Sequence, residues 1–166
     1  MLTAHELFGF MSPELSSQIL DHAYETEKDS YRATLAAVAE ARKLRAAFFE
    51  RKPRAERHKD MAAMLAKPRL DAAASNLIRV WLMKKHMAML VDFLDALGVS
   101  HKNGIVDELP ATVEDVKLSQ AIETLLGKYP REEVAVYLNA FYSMNDVSWP
   151  NLKALLESEP RLQFGS

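Results

Sequence analysis

This 166-residue sequence predicts an all-α fold, on three observations. Glycine is scarce, at five residues, while Ala, Leu, Glu, Lys, Arg and Met dominate, which is the vocabulary of helices. Apolar residues recur at helical rather than alternating spacing along most of the chain. Ser, Thr, Pro and Gly punctuate those runs where helices would start and stop. With 49% apolar residues the chain can bury a sizeable core. The expected architecture is a helical bundle around a central apolar helix, about residues 70–97. One long helix, about 13–51, packs along it, and three short C-terminal helices close one end. A single helical domain over 1–164 is expected, subdivided if at all into 1–98 and 110–164.

Each element has a local reason. Thr3 and Glu6 have capping-box spacing and open a short helix that ends near Gly9. Ser12, Pro13 and Glu14 supply an N-cap, a first-turn proline and an acid on the helix dipole. No Pro or Gly then appears until Pro53, and Leu20, Tyr31, Leu35, Val38, Phe48 and Phe49 fall on one stripe. A continuous helix over 13–51 would be roughly 58 Å long at 1.5 Å per residue. Because the stripe keeps its phase, the helix is expected to be continuous or mildly kinked, with any kink at Asp29 and Ser30, both of which favour caps. Pro53 and Pro68 bracket a helix over Ala55–Ala66. The next helix carries Leu77, Ile78, Trp81, Leu82, Met89, Phe93 and Leu94, apolar nearly all round, and Gly98 caps it. Asn103-Gly104 marks a turn in a loop. Thr112 is expected to cap a helix ending at Gly127, Pro130 to open one running to Ser143, and Trp149-Pro150 to open the last.

Composition excludes several functions. There is no cysteine, so disulfide scaffolds, thiolate metal sites and cysteine nucleophiles are ruled out. The N-terminal residues lack the pattern of a signal peptide, and no run of about 18 uncharged apolar residues exists. A soluble, cytoplasmic chain with no membrane partner is the expectation. Phosphate-binding loops, dinucleotide fingerprints, GxSxG and HExxH motifs are absent. No acid precedes any histidine by three residues, which disfavours a di-iron bundle. His22 and Glu25 alone are too few for a metal site, so no metal, cofactor or catalytic residue is assigned.

Two groups of residues nevertheless invite a function. Glu27 and Arg45 project within the apolar stripe of the long helix. Ser75, Arg79 and His86 share an arc with Leu82, Leu90 and Phe93. Buried charges must be paired, so Glu27 is expected to pair with Arg79 or His86, forming either an internal salt bridge or a pocket for a small anion. The second group is basic. The net charge of −2 conceals a segment, 42–69, with ten bases and three acids. Its contact candidates are Arg42, Lys43, Arg51, Lys52, Arg54, Arg57 and Lys59. Phe48 and Phe49 lie in the same segment but on the apolar stripe, so they are expected to be buried and unavailable for base stacking. The leading expectation is a non-catalytic helical interaction protein that binds a protein partner or itself. Nucleic-acid binding through 42–69 is the alternative, and a small-anion binder or enzyme built on Glu27, Arg79 and His86 comes third.

Overall fold

A computed structural model describes residues 1–145 and 148–164. These form ten α-helices and two 3₁₀ turns, and no named strand occurs among them. The contacts divide the chain into two compact units, residues 2–81 and 82–164.

The first unit contains α1 (Ala4–Phe10), α2 (Pro13–Thr26), α3 (Lys28–Ala41), α4 (Ala46–Glu50), α5 (Arg54–Leu65) and the start of α6 (Asp71–Lys85). The capping signals act as the sequence suggests. The Thr3 N–H donates to Glu6 Oε1 at 3.2 Å. Ser12 Oγ accepts from the Leu15 N–H at 3.1 Å. Helix α5 packs against α1, α2, α3 and α4, so it is the hub of this unit. Leu15, Ile19 and Leu20 of α2, Leu35 and Val38 of α3, Phe49 of α4, and Met61 and Leu65 of α5 are all buried.

The long helix expected over 13–51 is three helices. It breaks first at Glu27 (φ −128°, ψ 62°), two residues before the expected kink. It breaks again over 42–45, where Lys43 takes a left-handed φ of 56°. Each break lets a short amphipathic helix fold back and bury its stripe inside a small unit, whereas an unbroken rod of that length would leave much of the stripe in water. The apolar helix expected over 70–97 is likewise interrupted, at His86 (φ −117°, ψ 31°), between α6 and α7 (Met87–Leu97).

The second unit holds the end of α6 with α7, α8 (Asp115–Lys128), α9 (Arg131–Met144) and α10 (Pro150–Ser158). Helix α7 ends on Gly98 with φ 74°, the left-handed C-cap its sequence calls for. It packs along α8, and α9 meets α8, α10 and the 160–162 turn. Eight consecutive residues of α9, Val134–Phe141, are buried, so α9 is more enclosed than α7. Helix α8 begins at Asp115 with Glu114 as N-cap, two residues later than the expected cap at Thr112.

Candidate functional site

The breaks in the helices disperse the expected polar cluster. Glu27 caps the junction of α2 and α3, half-buried, and its side chain has no partner among the described residues. Arg45 is exposed at the start of α4, and Ser75 is half-buried on α6. Arg79 is exposed and donates to Asn76 Oδ1 at 2.9 Å. His86 Nε2 lies 3.8 Å from Glu133 Oε1. Ser75 and Arg79 still share a face of α6, but the breaks at Glu27 and over 42–45 put Glu27 and Arg45 on different helices, and the break at His86 ends the arc beyond Arg79.

The basic candidates divide by environment. Lys52 pairs with Asp60, and its ammonium lies 5.4 Å from the Phe48 ring centroid. Arg54 donates to Glu25 Oε1 at 3.4 Å and covers the Tyr24 ring at 4.8 Å. Arg42 lies 5.9 Å from the Phe49 centroid. Arg57 is buried. Lys43, Arg45, Arg51 and Lys59 have no side-chain partner among the described residues. Phe49 is fully buried as expected, but Phe48 is 48% exposed, because the short α4 turns it out of the stripe it would occupy in a continuous helix. Leu44, beside it in sequence, is 36% exposed. A patch of basic and apolar side chains therefore covers residues 43–51.

A second patch lies in the other unit, and its residues are not among the sequence candidates. Residues 105–116 contain four acids and no base, which was the signal available in the sequence. The segment starts from a tight turn at Asn103 (φ 54°) and Gly104 (φ 84°), closed by paired backbone bonds between Lys102 and Ile105 at 2.9 and 3.0 Å. From α10 and its cap, Trp149 Nε1 donates to the Pro110 carbonyl at 2.9 Å and Asn151 Nδ2 to the Val113 carbonyl at 2.8 Å. Ile105, at the start of this segment, is 64% exposed, and Val116, in the first turn of α8, is 66% exposed. Asp107, Glu108 and Glu114 are exposed and carry no side-chain partner among the described residues.

The first unit also holds a hydrogen-bond chain across three helices, buried at His58 and Tyr31 and partly exposed at Asp21. Asp21 Oδ1 of α2 lies 3.0 Å from His58 Nδ1 of α5, and His58 Nε2 lies 2.9 Å from the Tyr31 hydroxyl of α3. Asp21 accepts the Nδ1 proton, which leaves Nε2 as the acceptor for the Tyr31 O–H. Burial lowers the His58 pKa, against the pull of Asp21 in the other direction. Burial raises that of Tyr31, which the Arg57 charge only partly offsets. The phenol and imidazole therefore stay neutral near pH 7, which suits a structural tie between helices better than an activated nucleophile.

Comparison with protein-family models, with curated proteins and with solved structures yields no match to this chain. No helix among the described residues is long and apolar enough to cross a membrane.

Proposed function

We propose that this chain is a non-catalytic interaction protein that associates with a second copy of itself. The basic patch at 43–51 of one copy docks on the acidic patch at 105–116 of the other. The observation that carries the reading is complementarity in two respects at once. One patch offers Lys43, Arg45 and Arg51 around exposed Leu44 and Phe48; the other offers Asp107, Glu108 and Glu114 around exposed Ile105 and Val116. Apolar anchors ringed by charge are the usual anatomy of a protein interface, and opposite charges fix its register. Pairing of two different patches gives a closed dimer when it is reciprocal and a growing chain when it is not.

The test is sedimentation at low and high salt. The expected result is a concentration-dependent increase in mass at ~0.1 M salt that weakens towards ~1 M, where the screening length falls from about 10 to about 3 Å. Lys43→Glu with Arg45→Glu should abolish association, and mixing that variant with Asp107→Lys/Glu108→Lys should restore it. A monomer at every concentration in low salt, or failure of the charge-swapped pair to associate, refutes the proposal.

The exposure of Phe48 among bases favours a second reading, single-stranded nucleic acid. It is the weaker one, because residues 2–81 carry 13 bases against 11 acids and so present little net field to a phosphate backbone. Retention on heparin with a steep salt dependence, lost in Phe48→Ala, would favour it.

A further inference from the structure

Among the described residues Arg57 is a buried cation without a counter-ion, and it forms part of a cavity wall. The residue is 7% exposed. One of its donors, Nη1, reaches the Glu50 carbonyl at 3.3 Å, while its Nε is buried with no acceptor. Its guanidinium carbon lies 5.4 Å from the Tyr24 ring centroid and 5.8 Å from that of Tyr31. No carboxylate among the described residues pairs with it, since Arg54 occupies Glu25 and Asp21. Ring faces soften the cost of such a charge but do not remove it, and a buried ion left unpaired is strongly unfavourable. The cavity beside it measures about 440 Å³, within the range of small-molecule sites. Its wall includes Tyr24, Tyr31 and Leu35, with Lys28 and Arg32 lacking any side-chain partner among the described residues.

We propose that this cavity binds a small organic monocarboxylate with a flat apolar body, whose carboxylate is the counter-ion that Arg57 lacks. A guanidinium fork matches a carboxylate in geometry. The wall fixes the charge of the ligand: Lys28, Arg32 and Arg57 stand against Glu25 and Glu50, an excess of one positive charge. That suits a monoanion, whereas a phosphate dianion would meet two carboxylates with too little compensation. The wall also fixes the shape. Tyr24 and Tyr31 stand edge to face, with ring centroids 5.3 Å apart, and Leu35 adds an aliphatic surface, so the body of the ligand lies against rings. The site shares Glu50 with the 43–51 segment invoked for self-association but none of the basic or apolar contact residues named there.

The experiment titrates the full chain with benzoate, benzyl alcohol and inorganic phosphate, followed by tyrosine resonances and by calorimetry. Benzoate should bind saturably, and the alcohol and phosphate at least about tenfold more weakly. Lys28→Gln with Arg32→Gln, both at exposed positions, should weaken benzoate several-fold. Arg57→Lys, which keeps the charge but loses the fork, should weaken it about tenfold, and Arg57→Met at least as much. Should Arg57→Met fail to fold, the other two variants still decide. The proposal is overturned if benzoate does not bind, if benzyl alcohol binds equally well, if phosphate binds more tightly, or if the Lys28/Arg32 and Arg57→Lys variants bind benzoate unchanged.

Discussion

Replacing Tyr31 with Phe removes one oxygen from the tie between α2, α3 and α5. The hydroxyl is 2.9 Å from His58 Nε2, and the two residues are 6% and 2% exposed, so the bond lies in a largely buried setting. The lost bond is worth about 1 kcal/mol net, and leaving the imidazole nitrogen buried without a donor raises the cost to about 1–3 kcal/mol. The ring remains, so packing against Tyr24 contributes little to the difference. The assay is urea unfolding of wild type, Tyr31→Phe, His58→Leu and the double variant, compared at equal denaturant slope. Once His58 is gone, loss of the hydroxyl should cost much less, giving a coupling energy of at least about 1 kcal/mol. A Tyr31→Phe variant within about 0.5 kcal/mol of wild type, with additive effects in the cycle, would show that the chain of bonds does not hold the helices together.

The same histidine sets a pH dependence. Burial lowers its pKa in the folded state. Below about 6.5, the ordinary histidine value, the unfolded chain therefore binds a proton that the folded chain resists. Its contribution to stability is present above that pH and is lost as the pH falls through the folded pKa; thermal melts at pH 7 and pH 5 should differ, and His58→Leu should flatten the difference. Asp71, lowered by the His5 backbone N–H that it accepts, acts in a separate window below about 4. Two glycines should respond with opposite sign. Gly98→Ala places a side chain at φ 74° and should cost about 1 kcal/mol, although only the Lys117 ammonium is near. Gly127→Ala, in the last turn of α8 with nothing within 4 Å, should stabilise by about 0.5 kcal/mol, read in each case from the unfolding midpoint.

Local chemistry was legible and long-range consequence was not. Thr3, Ser12 and Gly98 cap where their side chains or backbones require it, and Pro130 and Pro150 sit at helix starts as expected. Glu27, Lys43 and His86 carry no breaker signal, since none is Gly or Pro and the apolar phase runs through all three. Those breaks come from tertiary packing, which overrides weak local preferences wherever folding back buries more surface. The site followed from the breaks. Phe48 reads as core only while its helix is continuous, and Arg79 reads as buried only while α6 and α7 are one rod. Arg57 looked like one base among seven, and no pattern in its neighbourhood distinguishes the one that is enclosed by two tyrosines. His58 carries no local signal of its role, because its partners, Asp21 and Tyr31, lie 37 and 27 residues away.

The burial of α9 has a cost outside the native state. Val134–Phe141 reads VAVYLNAF, with no charge, proline or glycine, and with β-branched and aromatic residues well suited to strands. Within the helix these side chains are buried, but a newly synthesised or denatured chain presents them as a sticky strand that can stack with its own kind. Arg131, Glu132 and Glu133 stand immediately upstream as gatekeepers. Neutralising those three residues should lower the soluble yield on refolding from urea, increasingly so at higher protein concentration, even where native stability is unchanged.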